Sequence, residues 1–145
     1  MIILWEQEYG KGIFMQSLSV RTRKHTQFLD ITREIQASIS DLGFENGILT
    51  VFVPHTTAGV TINENADPDV VIDLAGALEK AVPWQSEYQH SEGNAAAHVK
   101  ASLMGSSVQL PVKDGRLQLG TWQAVYFCEF DGPRSRNVWL MPVGH

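Results

Sequence analysis

The sequence predicts an α+β fold in which helices are inserted between groups of largely antiparallel strands. Three observations carry this. Runs of β-branched and aromatic residues outnumber stretches of helical periodicity. The helical stretches fall between those runs rather than alternating with them one for one. An Asp114-Gly115 pair separates two apolar runs, and Asp-Gly tolerates the positive φ that a tight antiparallel hairpin requires.

Taken in order, Ile13, Met15, Leu18 and Val20 give a roughly alternating pattern and predict a strand over Gly12 to Val20. After Asp30 the spacing lengthens. Ile31, Ile35, Ile39 and Leu42 fall at helical intervals, with Thr32 as N-cap and Gly43 as the stop. Ile48 to Val53 is an unbroken β-favouring run, a buried central strand. Pro54-His55-Thr56-Thr57 interrupts it, and Ala58 to Ile62 resumes as a second strand. Asp67-Pro68-Asp69 opens a helix, because Asp67 can accept free N–H groups and Pro68 lacks the donor that the first position would leave unpaired. Val70, Val71, Leu74, Ala77, Leu78 and Ala81 supply its apolar stripe up to Pro83, and Asn94 caps a third helix, Ala95 to Met104, closed by Gly105. The rest is β: the hairpin of Val108 to Val112 with Leu117 to Leu119, then Thr121 to Phe130 and Asn137 to Val143 around Asp131-Gly132-Pro133.

No repeat, low-complexity tract or long linker divides the 145 residues, so a single domain over 1–145 is expected. Hydrophobic residues at 43% and charged residues at 19% match a globular chain. No apolar run approaches the ~20 residues of a membrane helix. The opening Met-Ile-Ile-Leu-Trp is followed at once by Glu6, Glu8 and Lys11, so no signal peptide is read and no membrane partner is expected. A formal charge of −5 argues against a nucleic-acid partner, which wants a basic face. The single cysteine, Cys128, excludes an internal disulfide and fits a cytoplasmic location.

Three histidines lie in polar contexts beside turns. His55 directly follows the central strand, His90 precedes a polar loop, and His98 sits one helical turn before Ser102. Three neutral imidazoles converging on one point would make an open metal site, such as Zn²⁺ occupies, although their spacing matches no compact metal motif. His25 and His145 read as surface residues. Glu64, Asp67, Asp69 and Asp73 form an acidic run that could hold Mg²⁺ and through it a diphosphate. The alternative is that these carboxylates merely complement a helix N-terminus, the better account of Asp69 and Asp73. Gly105-Ser106-Ser107 and the pair Arg134 and Arg136 are candidate anion contacts, or in the second case solvated hairpin charges. Cys128 and Glu129 point to opposite faces of one strand, so only one can share a cleft with His55, and a buried, inert cysteine is the commoner reading of Cys128 beside a nucleophilic one.

These residues fall in ordered blocks: His55 through Asp69, His98 through Ser106, Gly115 through Gln123 with Cys128-Glu129 beyond it, and the Arg134-x-Arg136 tail. Blocks in that order, from about residue 12 to the end, resemble the YjbQ family, which is associated with secondary thiamine-phosphate synthase activity. The resemblance implies a compact α+β fold similar in topology to a double-stranded β-helix. It also implies a homotrimer with its polar blocks in a cleft near the subunit boundaries. The implied reaction joins hydroxymethylpyrimidine diphosphate to a thiazole phosphate and releases pyrophosphate, so the expected ligand is a small phosphorylated metabolite. On this resemblance His55, Asp67, His98, Cys128 and Glu129 are catalytic candidates. Asn63, Lys100, Ser102, Ser106, Thr121, Trp122, Gln123, Arg134 and Arg136 are substrate-binding candidates. His55, His90, His98, Glu64 and Asp67 are candidate ligands of a divalent metal, Mg²⁺ or Zn²⁺. Ser91 to Ala96 is shorter and less acidic than the family pattern. Two other functions fit the same residues: a metal-dependent hydrolase or transferase on another phosphorylated metabolite, and a non-catalytic protein that binds a small anion or metal.

Overall fold

The computed structural model describes Ile2–Ile3 and residues 15–145. Among the described residues, nine strands and three helices run in the order β1 (Ile2–Ile3), β2 (Gln16–Arg21), β3 (Gln27–Asp30), α1 (Thr32–Leu42), β4 (Gly47–Phe52), β5 (Ala58–Glu64), α2 (Pro68–Ala81), α3 (Ala95–Met104), β6 (Ser107–Lys113), β7 (Arg116–Leu117), β8 (Gln123–Glu129) and β9 (Ser135–Gly144). Six strands form one sheet in the order β1-β2-β9-β4-β6-β7, and three form another in the order β3-β8-β5. Every described pairing is antiparallel, as the class predicts.

The period of two decides what lies between the sheets. Leu18 and Val20 of β2, Leu49 and Val51 of β4, Val138 and Leu140 of β9, and Val60, Val125 and Phe127 of the smaller sheet form one buried cluster. Ile35 and Ile39, one turn apart on α1, are both fully buried in it. Full burial of such a side chain stabilises by about 1.5–3 kcal/mol. The other face of β8 presents Ala124, Tyr126 and Cys128, with Phe130 just beyond the strand, to Ala97 and Ala101 of α3, with Val71 and Leu78 of α2 packed alongside.

Several local expectations need correction. The strand expected from Gly12 begins at Gln16 within the described residues, and residues 12–14 lie outside them. Ile31, not Thr32, occupies the N-cap of α1. Thr32 is the first helical residue because its N–H donates to the Asp30 carboxylate (3.0 Å), while its hydroxyl accepts the Val125 N–H (2.9 Å). Asn94 stands at the start of α3 but caps nothing with its side chain, which donates to Asp131 instead. The short β3 was not anticipated, since Gln27 and Asp30 dilute its pattern, yet it pairs residue for residue with β8. The stripe of α2 is only half-covered, and no residue of that helix is buried. Asp67 does cap α2 by accepting the Asp69 N–H at 2.9 Å, and Asp114 and Gly115 both take the positive φ expected of the hairpin turn.

Candidate functional site

Among the described residues, six connections carry the chain from one sheet to the other, and three of them are grouped: β2 to β3, β4 to β5, and β8 to β9. They meet at the same end of the sandwich. The Thr22 N–H donates to the Arg134 carbonyl (2.9 Å), the Gly132 N–H to that of His25 (3.0 Å), and the Phe130 N–H to that of Thr57 (3.2 Å). A buried polar cluster ties them together. Arg136 donates through Nε and Nη2 to the two carboxylate oxygens of Glu129, and Nη2 also reaches the Thr57 hydroxyl at 2.8 Å. The Thr22 hydroxyl donates to Glu129 Oε1 at 2.8 Å. Burial by itself raises the Glu129 pKa, but the bonds from Arg136, Thr22 and the Asp131 N–H outweigh it and hold the carboxyl below its ordinary value.

His55 sits on the middle connection. In the β4–β9 register Phe52 stands opposite Trp139, so one more rung would bring Pro54 opposite Asn137. Proline has no N–H for that rung. The ladder stops, and the Asn137 N–H donates to His55 Nε2 at 2.9 Å. Partial burial and then the adjacent Arg136 charge lower the His55 pKa, against smaller opposing effects of the hydrogen bond to the Asn137 backbone and then of the Glu129 charge.

His55, Thr56 and His98 line two adjoining hollows. One, of about 530 Å³, is walled by Ala58, Ala101, Ser102, Gly105 and Ser106. Gly59 lets β5 approach here: a Cβ on it would lie 2.7 Å from the Gly105 carbonyl oxygen. The other, of about 350 Å³, is polar and includes Glu92, Asn94, Asp131, Arg134 and Arg136. Arg134 lies half-exposed on its rim, bound to Asp131 through Nε (to the carbonyl, 2.7 Å) and Nη2 (to the carboxylate, 3.0 Å). His90 packs its ring edge-on to that of His98 with centroids 5.1 Å apart. Imidazoles, hydroxyls and a rim guanidinium around volumes of this size suit a small anion-bearing metabolite.

The structure thus gathers His55, His98, Ser102, Ser106, Arg134 and Arg136 around one cleft, with His90 at its side. Asn63, Glu64, Asp67, Thr121, Trp122 and Gln123 are not among them. Glu64 pairs with Gln123 at the opposite end of β5 from Ala58, and the Asn65 N–H donates to the Trp122 carbonyl there. The seven residues of β5, at roughly 3.4 Å each, separate the two ends by about 20 Å. The five expected metal ligands therefore do not form one set within a chain, and among the described residues no three His, Cys, Asp or Glu side chains are grouped to hold an ion.

Three further expectations are corrected. Cys128 is fully buried on the helix-covered face of β8, away from the cleft, and burial pushes its thiol far above the ordinary value. This removes the basis for a nucleophilic role. Lys100 is 2% exposed and bound to Glu79 of α2, so its ammonium is not offered to a ligand. Glu129 supports the site from behind and is itself closed to solvent. Sequence reasoning passed over Thr22, Thr57, Asn94, Asp131 and the Asn137 N–H. Only Thr57 carried a signal, its place in the His55 block; a backbone N–H carries none, since every residue but proline has one.

A family profile described as UPF0047 protein YjbQ-like matches residues 16–145. The chain belongs to the YjbQ family. UPF0047 protein YugU of Bacillus subtilis is 47% identical over 131 residues, covering 90% of this chain and 99% of the relative. A UPF0047 protein of Methanocaldococcus jannaschii is 46% identical over 125 residues, 86% and 91% of the two chains. Among solved structures, a YjbQ/UPF0047 protein of Clostridium acetobutylicum, described as uncharacterized, is 50% identical with a TM-score of 0.85, covering 88% of this chain and 98% of that one. The YjbQ fold is thus the α+β arrangement of antiparallel sheets and three helices described above.

Proposed function

We propose that this YjbQ protein acts as a secondary thiamine-phosphate synthase, with the diphosphate of its substrate seated in the His55–His98 cleft. The observation that carries the reading is that His55 and His98 line both adjoining hollows, backed by Ser102 and Ser106 and rimmed by Arg134. In the proposed reaction the bond between the pyrimidine methylene carbon and the diphosphate oxygen breaks, and pyrophosphate leaves with the electron pair. The thiazole nitrogen then bonds to that carbon. Hydrogen-bond donors placed around the departing oxygens stabilise the charge that develops on them. Mg²⁺ would enter with the diphosphate as part of the substrate.

The carboxylates and Trp122 at the far end of β5 can join such a site only from a neighbouring protomer. We propose a homotrimer for this reason. Exposed Ile48, Phe52, Trp139 and Val143 on the outer face of the six-stranded sheet support self-association, as does the half-covered α2. The test is to incubate purified protein with hydroxymethylpyrimidine diphosphate, thiazole phosphate and Mg²⁺ and to measure thiamine phosphate and pyrophosphate. Product that depends on His98 supports the reading; no product from the intact protein removes it. Light scattering on the same sample reports whether the mass is that of a trimer.

A further inference from the structure

We infer that His55 is held as its neutral Nδ1–H tautomer and serves the cleft as a fixed hydrogen-bond donor to an oxyanion, not as a metal ligand or general base. The inference deepens the anion-site reading above and rests on it only for the identity of the ligand. Its starting point is the Asn137 N–H, which lies 2.9 Å from His55 Nε2. A backbone amide can only donate, so Nε2 must present a lone pair. A neutral imidazole has one N–H, which then resides on Nδ1. Nδ1 has no hydrogen-bond partner among the described residues, and His55 lines both hollows of the cleft.

The surroundings maintain this state. Arg136, one residue before Asn137 in β9, is buried and fixed in place by Glu129 and Thr57. A second proton on His55 would break the Asn137 bond and set an imidazolium near that guanidinium. His98, Glu92, Asp131 and Arg134 are the other titratable or charged groups lining the two hollows. Glu129 would favour the extra proton, but its carboxylate is committed to Arg136.

The same geometry argues against metal ligation. An imidazole that binds an ion through one nitrogen carries its proton on the other and donates it to a carboxylate, carbonyl or water. Across from Nε2 stands a donor, which cannot accept that proton. Binding an ion through Nδ1 would require the ring to lose its only proton. Acting as a base would require the lone pair already engaged by Asn137. What remains is donation from Nδ1, and an anionic oxygen is the acceptor that gains most from it.

Long-range ¹H–¹⁵N spectra of wild-type protein labelled at histidine test this directly, with His55 assigned by the signal missing from His55→Asn. At pH 7 the expected pattern is a protonated Nδ1 and an unprotonated, hydrogen-bonded Nε2. Inorganic pyrophosphate should move the Nδ1 resonance, and Zn²⁺ should leave both His55 nitrogens in place. An Nε2–H tautomer, a doubly protonated ring at pH 7, or a Zn²⁺-induced shift at His55 would overturn the inference. In parallel, His55→Ala should weaken pyrophosphate binding about tenfold or more, as loss of a charge-assisted hydrogen bond of ~1.5–3 kcal/mol implies. His55→Asn, whose amide can replace the Nδ1–H, should stay within about threefold of wild type. Equal loss in a folded Asn variant counts against the donor role. The tautomer result stands or falls whether or not thiamine phosphate is made.

Discussion

Arg136 of β9 and Glu129 of β8 form a two-point ion pair between strands of different sheets, shut off from solvent at the end where three connections cross the sandwich. Thr22 and Thr57 complete it from the other two connections. Removing one partner of such a pair leaves an uncompensated buried charge.

Glu129→Gln or Arg136→Met should therefore lower unfolding stability by about 3–5 kcal/mol in urea titrations, and the double variant should lose less than the sum. Additive losses would show that the pair is not coupled.

The same carboxyl sets an acid dependence. Its folded pKa lies below the ordinary value, so the unfolded chain takes up a proton first as pH falls. The stabilisation is complete above the ordinary carboxylate range and is lost as pH drops through the folded value. Urea midpoints measured on acidification should fall less steeply in Glu129→Gln than in wild type. Parallel slopes would sink the assignment.

Gly59 forms part of the wall between β5 and the end of α3. A Cβ there would lie 2.7 Å from the Gly105 oxygen and 3.1 Å from Met104 Cβ, and the nearer neighbour is backbone. Gly59→Ala should cost about 1–3 kcal/mol, as overpacking does, and weaken pyrophosphate binding in the same protein. A variant with wild-type melting and binding would show that the approach is looser than described.

Cys128 should resist thiol reagents in the native protein and react fully only after denaturation, since it is buried and burial raises its pKa. Cys128→Ala should keep the site's activity. Rapid native labelling, or loss of activity in a stable Cys128→Ala protein, would restore a chemical role.

If the acidic end of β5 completes the site across a protomer boundary, His55→Ala and Asp67→Ala should each lose synthase activity alone. Unfolded together and refolded as a mixture, they should recover part of it, because some boundaries then carry both native halves. No recovery in mixed oligomers of confirmed mass argues that Asp67 acts only as the cap of α2.

The elements legible in the sequence are those set by local physics. Ile35 and Ile39 declared the buried face of α1, Asp67 and Pro68 the start of α2, and Asp114-Gly115 a turn. The four-residue β3 escaped because strand identity so short comes from its partner, β8. The chemistry at His55 and His98 was visible as residue type and block order. Their separation from Glu64 and Asp67 was not, although it follows from the length of β5 once that strand is known to run straight between the two groups. Lys100 misled for a related reason: a lysine in a polar block looks available until a neighbouring helix supplies Glu79.

By itself, the sequence determined the α+β class, the hairpin, most helix limits and membership of the YjbQ family, because periodicity, turn chemistry and ordered blocks are properties of neighbouring residues. Only the tertiary structure decided that Thr22, Thr57, Glu129 and Arg136 close one cluster, that Cys128 is sealed away, and that the Asn137 N–H meets His55. Those outcomes depend on which strands cross between sheets at the same end, a relation among segments up to 112 residues apart. Contacts at such separation are set by how the whole chain closes over its core, and no local pattern encodes them.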